Sequence, residues 1–229
     1  MATEDKLNSG GICPRLCVIV GAGPVSAPPA IPKDAFIIAA DGGLGLLREL
    51  EVSPHLTVGD FDSLGYIPSA GEVIRRPVMK NETDTMLAIG EGLRRGCREF
   101  VIYGGLGGRL DHTLANLQTL AWAASRGVRA TLADGELRIT AIRNGSLFIP
   151  AERQSPENRI VSVFAHGGRA EGVTIRGLLY EIEKITLSPD CPLGVSNEYL
   201  PGKDAFISAE RGTLIIYRHE ISGSQADAI

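Results

Sequence analysis

Residues 35–50 read AFIIAADGGLGLLREL: a short apolar run, then Asp41 with two glycines, then a stretch with helical spacing. The run at 35–40 is apolar at every position, which is typical of a strand buried on both faces of a parallel sheet. Leucines recur through residues 44–50, which predicts a short helix. A strand, a glycine turn and a helix in succession indicate one unit of an α/β fold.

The same order recurs on both sides of this stretch. Strands alternating with helices at this spacing predict a mostly parallel, Rossmann-like sheet with helices on both faces. In such sheets, ligands bind beyond the carboxyl ends of the strands. The other predicted strands of this part are residues 16–20, 56–58, 100–103 and 130–133, and its longer helices are residues 83–95 and 111–126.

The pattern changes near residue 136. From there, short strand-like runs are separated by Gly, Pro, Asn and Asp, and no helical pattern of any length remains. This predicts a second domain, an all-β sandwich. We therefore expect an α/β domain over residues 12–135, a sandwich over 136–221, and flexible tails at 1–11 and 222–229. The predicted strands of the second part include residues 160–164 and 172–175, and Glu210-Arg211-Gly212 predicts a tight hairpin.

Composition argues against several classes of protein. The chain has 229 residues and a net charge of −4, which gives no electrostatic reason to bind nucleic acid or an anionic membrane. Its four cysteines are too few and too irregularly spaced for a disulfide framework or a zinc site. The polar first eleven residues predict no signal peptide, and no apolar run approaches the ~20 residues of a membrane span. We expect a cytoplasmic protein.

The local signal with the most chemistry is the pair Asp60 and Asp62, directly after the predicted strand at 56–58. Two carboxylates at positions i and i+2 can point to the same side of an extended chain. Mg²⁺ is commonly held by one or two carboxylates together with phosphate oxygens and water. Taken alone, the pair is equally consistent with a solvated acidic turn.

Three more aspartates fall at the same predicted edge of the sheet. Asp41 ends the strand at 35–40, whereas Asp84 and Asp111 begin predicted helices. Each has a simple structural alternative, since carboxylates are favourable in a first helical turn and as helix N-caps. Five carboxylates at one edge would repel one another unless a metal or a cationic substrate group offset them. Their convergence therefore favours a functional site.

Cationic residues and glycines accompany the aspartates. Lys80 precedes Thr83, and Arg109 ends the glycine-rich stretch at 104–109. Exposed backbone N–H groups at a helix N-terminus bind anions, and an arginine adds bidentate contacts to phosphate. We therefore expect phosphate here rather than a plain turn. Gly21-Ala22-Gly23 is discounted as a dinucleotide fingerprint because Ser26 stands in place of the third glycine and Pro24 intrudes.

Taken together, these motifs resemble the thiamine pyrophosphokinase family. The order and spacing are similar over almost the whole chain, and the set is specific although each motif alone is weak. The first part carries Ala40-Asp41-Gly42-Gly43, Gly59-Asp60-Phe61-Asp62-Ser63, Lys80 with Thr83-Asp84, and Gly107-Gly108-Arg109-Leu110-Asp111-His112 with Leu114-Ala115-Asn116. The second part carries Gly172-Val173-Thr174-Ile175, Gly177-Leu178, Gly194-Val195-Ser196-Asn197-Glu198 and Gly212-Thr213-Leu214-Ile215-Ile216.

The resemblance implies a reaction and a set of roles. The family transfers the pyrophosphoryl group of ATP to the hydroxyl of thiamine, giving thiamine diphosphate and AMP. It works as a homodimer whose active site lies between the first domain of one subunit and the second domain of the other. The implied catalytic residues are Asp60, Asp62, Asp84 and Asp111, the first three also being Mg²⁺ ligands; Asp41, Gly42, Lys80, Thr83, Gly107, Gly108 and Arg109 are implied to bind ATP and phosphate, and Ser196 and Asn197 to bind thiamine.

The aromatic residue that would face thiamine is left open. Tyr180 and Tyr199 are both weak candidates, and Trp122 is better explained as a core residue of the first domain.

Two other functions compete with this one. A phosphatase of the haloacid dehalogenase type would use Asp60 as a covalent nucleophile and Lys80 as its lysine. That scheme gives no role to Asp41-Gly42-Gly43 or to the stretch at 107–112. A non-catalytic nucleotide or metal sensor would keep the binding residues without transferring any group.

Overall fold

The computed structural model describes residues 16–60, 71–75 and 82–221, and within these ranges it contains thirteen strands and three α-helices. A single turn of 3-10 helix covers Ala151–Arg153. In chain order the elements are β1 (Leu16–Val20), β2 (Phe36–Ala40), α1 (Gly43–Glu49), β3 (Leu56–Gly59), β4 (Glu72–Arg75), α2 (Asp84–Arg94), β5 (Glu99–Tyr103), α3 (Leu110–Ala124), β6 (Arg129–Asp134), β7 (Leu137–Arg143), β8 (Ser146–Ile149), β9 (Ile160–Arg176), β10 (Ile182–Leu187), β11 (Gly194–Glu198), β12 (Ala205–Ser208) and β13 (Arg211–His219).

The first six strands form a parallel sheet in the order β4-β3-β2-β1-β5-β6. All their carboxyl ends therefore lie at one edge, which we call the carboxyl edge. The chain moves from β1 to one side through β2, and later returns to the other side through β5. Such a reversal opens a crevice beyond the ends of β1 and β5, where ligands of open α/β sheets bind.

Helices cover both faces of this parallel part. Cys17 and Ile19 of β1 pack with residues of α2 and α3, whereas Val18 and Val20 pack with Leu44 of α1 on the other face. Successive side chains of a strand point to opposite faces, so a strand covered on both sides must be apolar throughout. The apolar runs in the sequence are explained by this burial.

The helices begin and end close to their predicted bounds. Thr83 caps α2, because its Oγ1 accepts a hydrogen bond of 3.2 Å from the N–H of Met86. Helix α3 begins one residue earlier than predicted and ends at Ala124, and its N-cap position is Arg109. Asp111 therefore lies in the first turn of α3 and is not its N-cap.

An antiparallel hairpin joins the parallel strands to the rest of the molecule. The chain turns at Gly135, whose φ is +53°, and β7 pairs antiparallel with β6. Strand β13 then pairs with β7, and β9 with β13, so the sheet continues without interruption. The sequence predicted a second, sandwich-like domain; in the structure, one mixed sheet runs from the first part into the second. The domain boundary predicted between residues 135 and 136 falls at this hairpin and stays a prediction.

Strand β9 connects the two layers of the second part. The sequence predicted separate strands at 160–164 and 172–175, but both belong to this single strand of seventeen residues. Gly167 and Gly168 have φ of +70° and +155°, which lets the strand bend without ending. Its second half pairs with β10 and β12, and β12 pairs with β8. The core between the layers includes Val161, Val173 and Leu214.

The tight hairpin predicted at Glu210-Arg211-Gly212 is wrong. Strands β12 and β13 each pair with β9 and not with each other. In the described part of the chain, the helices are too short or too polar to cross a membrane.

Candidate active site

Asp41 and the start of the Asp60 segment meet at the carboxyl edge. The N–H of Asp41 donates a hydrogen bond of 2.8 Å to the carbonyl oxygen of Val58, so β2 and β3 stay paired up to their last residues. Gly59 follows at φ +155°, and a Cβ at that position would lie 3.2 Å from the Cα of Asp41. The two backbones are therefore in contact, which places Asp41 and Asp60 at the ends of neighbouring strands.

Asp41 has a left-handed backbone with φ of +49°, a conformation that an aspartate adopts only at some cost. The turn that follows has no space for side chains: a Cβ on Gly43 would lie 1.9 Å from the carbonyl oxygen of Val20. The Asp-Gly-Gly sequence thus lets helix α1 start directly against β1. It also keeps Asp41 beside the crevice between β1 and β5.

Asp84 lies at the same edge, as the direction of α2 shows. Arg95, the C-cap residue of α2, forms a 2.6 Å ion pair with Glu72, the first residue of β4. Because Glu72 begins β4, it lies at the edge of the sheet opposite the carboxyl edge, and the C-terminus of α2 lies there too. The N-terminus of α2, with Thr83 and Asp84, therefore lies at the carboxyl edge. This arrangement agrees with the predicted clustering of Asp84 with Asp41 and Asp60.

A glycine-rich loop follows β5. Gly104, Gly107 and Gly108 all have φ between +61° and +71°, a region that other residues enter only at a cost. The buried side chain of Asn116 donates a hydrogen bond of 2.8 Å to the carbonyl oxygen of Gly105, which ties the loop to α3. Asn116 therefore has a structural role, and the loop leads directly into the N-terminus of α3.

Arg109 and Asp111 form an exposed ion pair at this N-terminus. The Nε and Nη2 of Arg109 contact the two carboxylate oxygens of Asp111 at 3.2 and 2.6 Å. The side chains are 72% and 64% exposed. Hydrogen bonding to Arg109 lowers the pKa of Asp111, and the carboxylate raises the pKa of Arg109. Both groups stay charged and accessible to a ligand.

Sequence analysis missed the loop that follows β1. The N–H groups of Gly21 and Gly23 donate hydrogen bonds of 2.8 and 2.9 Å to the carbonyl oxygens of Tyr103 and Gly104. This stretch was discounted because it does not complete a dinucleotide fingerprint. Its glycines allow close backbone approach: a Cβ on Gly23 would lie 2.6 Å from the Gly104 oxygen. The sequence did carry a signal for this loop: its glycines come directly after the first strand, at the point where the strand order reverses.

Two predicted site residues, Asp62 and Lys80, lie outside the described residues. Within the described ranges, no group of three or more His, Cys, Asp or Glu side chains is close enough to hold a metal ion. The donors that do line the carboxyl edge, Asp41, Asp60 and Asp84, are all carboxylates. Hard oxygen donors of this kind fit Mg²⁺ and not a thiophilic metal.

The residues predicted to bind thiamine, Ser196 and Asn197, lie in β11, and the candidate aromatic Tyr180 lies in the loop between β9 and β10. Ser196 is exposed and has φ of +58°, within a bulge of β11 against β9. Asn197 is only 6% exposed. Its Oδ1 accepts a 2.9 Å hydrogen bond from the N–H of Tyr180, and its Nδ2 donates one of 2.7 Å to the Tyr180 carbonyl oxygen. The Asn197 amide therefore clamps the backbone of Tyr180.

The residue whose backbone Asn197 holds has an exposed aromatic ring. Tyr180 is 66% exposed, whereas Tyr199, the other candidate, is 2% exposed and packs in the core of the second part. Burial removes Tyr199 as a residue that could face a ligand. Tyr180, with Ser196 beside its clamp, is the aromatic that this region presents to solvent.

Both clusters lie at the same edge of the continuous sheet but far apart along it. The pairings Asp134 with Leu137, Leu137 with His219 and Ile160 with Glu198 carry the carboxyl edge across to the end of β11. Seven inter-strand steps separate β2 from β11 in the order β2-β1-β5-β6-β7-β13-β9-β11. At about 4.8 Å per step, the path along the sheet from one cluster to the other is roughly 30 Å.

Two family models match this chain. Residues 29–132 match the family model described as the thiamin pyrophosphokinase catalytic domain, and residues 147–214 match the vitamin B1 binding domain of the same enzyme. The chain belongs to the thiamine pyrophosphokinase family. The family resemblance inferred from the motifs is thereby confirmed, and the predicted site residues from Asp41 to Arg109 fall within the first matched range.

Relatives of the family cover nearly the whole chain. The thiamine pyrophosphokinase of Bacillus subtilis is 26% identical over 210 residues, which is 87% of this chain and 96% of that protein. A crystal structure of a family protein from Enterococcus faecalis is 27% identical, with a TM-score of 0.74, over 92% of this chain and 100% of the other. The Bacillus subtilis crystal structure shares the fold with a TM-score of 0.78, at 24% identity over 89% and 98% of the two chains.

Proposed function

We propose that this protein transfers the pyrophosphoryl group of ATP to the hydroxyl of thiamine, giving thiamine diphosphate and AMP. The observation that carries the proposal is that both domains of the thiamine pyrophosphokinase family match one chain in the expected order. The polar residues at the carboxyl edge fall within the first match, and the clamp around Tyr180 falls within the second.

The ATP side is the crevice beyond β1 and β5, in a Rossmann-like domain over residues 12–135. The glycine-rich loop and the N-terminus of α3 offer backbone N–H groups to phosphate oxygens. Arg109, oriented by its ion pair with Asp111, adds a guanidinium that can donate to phosphate oxygens. The proposed contacts to ATP and its phosphates are Asp41, Gly42, Lys80, Thr83, Gly107, Gly108 and Arg109.

Asp60, Asp62 and Asp84 are the proposed Mg²⁺ ligands. The two of them that the structure describes lie at the carboxyl edge beside Asp41, and their carboxylate oxygens suit this ion. When bound, Mg²⁺ neutralises charge on the phosphate oxygens. The same aspartates offer a base: Asp60 or Asp84 orients the thiamine hydroxyl and takes its proton as the oxygen attacks. Asp111, in its pair with Arg109, orients the guanidinium.

The thiamine side is formed by Ser196, Asn197 and Tyr180, in a β-sandwich domain over residues 136–221. Tyr180 supplies an exposed ring whose face attracts a cation, which suits the thiazolium of thiamine. Asn197 acts through the backbone of Tyr180, because its Oδ1 accepts hydrogen bonds from the N–H groups of Tyr180 and Glu198 and its Nδ2 donates one to the Tyr180 carbonyl oxygen. Ser196 is exposed and supplies a hydroxyl to the substrate.

We further propose a homodimer in which the ATP side of one subunit meets the thiamine side of the other. Reacting atoms must come within about 3–3.5 Å of each other. Two clusters separated by roughly 30 Å along the sheet of one chain do not meet that requirement, whereas two copies can pair the clusters reciprocally. A cytoplasmic location agrees with the free thiols of Cys17, Cys97 and Cys191, the cysteines that lie in the described ranges.

The two competing functions gain no support. Neither a phosphatase of the haloacid dehalogenase type nor a sensor accounts for a match to both the catalytic and the vitamin-binding domain of one kinase. The test is an assay with purified protein, Mg²⁺, ATP and thiamine that follows AMP release and thiamine diphosphate formation. Equimolar AMP and thiamine diphosphate are expected. Inorganic phosphate release from phosphomonoesters without ATP, or no AMP with thiamine, would refute the proposal.

A further inference from the structure

The loop from Gly21 to Ser26 crosses over the end of β5 and is fastened on both sides. On one side, Gly21 and Gly23 donate backbone hydrogen bonds to the end of β5. On the other side, Ser26 reaches the end of β6, where its N–H and its hydroxyl both donate to Oδ1 of Asp134, at 2.5 and 2.8 Å. A segment held at both ends cannot move far from what lies beneath it.

What lies beneath it is the proposed phosphate loop. A Cβ built on Gly107 would lie 3.2 Å from Cγ of Pro24, and one on Gly108 would lie 3.4 Å from its Cδ. The pyrrolidine ring is rigid in φ and has no N–H of its own. Pro24 therefore forms a stiff cover over the two glycines whose left-handed backbone directs their N–H groups.

We infer that Ser26 and Asp134 are positioning residues for the phosphates of ATP. Their two hydrogen bonds keep Pro24 against Gly107 and Gly108, and this contact fixes the direction of the N–H groups that receive phosphate oxygens. The inference rests on the proposed ATP side. Preorganised donors lose less free energy when a ligand orders them. Loss of the Ser26–Asp134 contact should therefore weaken ATP binding and leave thiamine binding unchanged.

The chain offers matched variants for the test. Asp134→Ala removes both hydrogen bonds, and Ser26→Ala removes the hydroxyl one but keeps the one from the backbone N–H. Ser26→Thr and Asp134→Asn keep a donor and an acceptor. Ser188→Ala is the control, because it removes another exposed serine-to-aspartate hydrogen bond, that of Ser188 to Asp190, away from the carboxyl edge. Each variant is assayed as the full chain for KM of ATP and of thiamine, for kcat, and for the dissociation constant of a non-hydrolysable ATP analogue with Mg²⁺.

Asp134→Ala should raise the KM for ATP and the dissociation constant of the analogue about five- to twentyfold, and Ser26→Ala should raise both by a smaller factor. The KM for thiamine and kcat should stay within about twofold, and the conservative variants and Ser188→Ala should resemble the wild type. An unchanged analogue affinity in Asp134→Ala would overturn the inference, as would a parallel rise of both KM values with a lowered Tm. If the wild type bound the analogue but released no AMP with thiamine, the proposed function would fail, and analogue affinity would still decide this inference.

Discussion

The two sides of the proposed active site are built in opposite ways. On the ATP side, backbone geometry makes the site: glycines with positive φ shape the loop after β5, and Arg109 and Asp111 stay exposed above it. On the thiamine side, a buried side chain makes the site: the Asn197 amide holds the backbone of the exposed Tyr180. Phosphate needs many converging donors, which backbone N–H groups supply. A flat cationic ring needs one rigid surface, which a clamped aromatic supplies.

The largest expected effect belongs to the carboxylates of the ATP side. Asp60→Asn keeps the size of the side chain but removes the charge that we assign to Mg²⁺ and to the proton of the alcohol. We expect kcat to fall at least about 100-fold, comparable to the loss of one electrostatic group in other enzymes. AMP release with thiamine measures it. Asp34→Asn is the matched control, because Asp34 is exposed and precedes β2 at the opposite edge of the sheet.

The asparagine variant should fold normally, since Asp60 lies at the end of a strand and not in the core. A wild-type rate in Asp60→Asn would remove this residue from the catalytic set. An equal loss in Asp34→Asn would point to a general effect of charge.

Backbone strain should change the KM for ATP when it is introduced at Gly107 and not when it is introduced at Gly127. Gly107→Ala and Gly127→Ala both place a side chain at a left-handed position, φ +71° and +67°, and each should cost about 1–2 kcal/mol of stability. A Cβ on Gly127 meets nothing within 4 Å, whereas one on Gly107 meets Pro24 over the phosphate loop. We expect the KM for ATP to rise about tenfold in Gly107→Ala only.

Denaturation curves and steady-state kinetics of the two variants check this expectation. If both variants lost ATP affinity equally, global destabilisation would explain the result, and the assigned role of the loop would be wrong.

On the thiamine side, the ring itself should carry the affinity. Tyr180→Ala removes a cation–π contact that is worth about 0.5–2 kcal/mol, so the KM for thiamine should rise up to about 30-fold with the KM for ATP unchanged. Tyr199→Phe is the control: the Tyr199 hydroxyl is buried and finds no hydrogen-bond partner among the described residues. Its removal should leave both KM values unchanged. Equal thiamine affinity in Tyr180→Ala and wild type would show that another residue holds the ring.

The smallest effect concerns the exposed pair beside the phosphate loop. Arg109 lowers the pKa of Asp111 below its ordinary value of 3.8, so the contribution of the pair to stability is complete above that pH and is lost as the pH falls through the folded-state pKa. In Arg109→Ala, the pKa of Asp111 should move back towards 3.8. Carbon-detected NMR titration of the carboxyl group measures this pKa. A pKa that does not change would mean that Arg109 and Asp111 do not pair in solution.

Sequence patterns predicted five of the six parallel strands, and the reason is local; β4 was missed because, at the end of the sheet, it is not buried on both faces. Strands buried on both faces are apolar throughout, and Thr83 and the Asp-Gly-Gly turn mark helix starts within a few residues. The placement of Asp41 and Asp60 at one edge followed from the direction of parallel strands, and that of Asp84 from its position at the start of a helix. The motifs, once combined, also identified the family.

The missed features depend on contacts between distant residues. Nothing near Gly167-Gly168 distinguishes a bend within one strand from a turn between two, because the choice depends on pairing with β10 and β12. The Ser26–Asp134 contact joins residues 108 positions apart. The role of Asn197 as a clamp for Tyr180 likewise requires the fold, since an isolated asparagine in a sequence is read first as a ligand contact.

The central proposal is that an active site forms only where the ATP side of one copy meets the thiamine side of another. The direct measurement mixes two defective proteins, Asp60→Asn and Tyr180→Ala, after dissociation and reassociation, at a thiamine concentration that neither turns over. Random pairing of shared sites should restore about one quarter of the wild-type rate, because half of the dimers then contain one intact site. No restoration in a mixture shown to contain mixed dimers would contradict the claim.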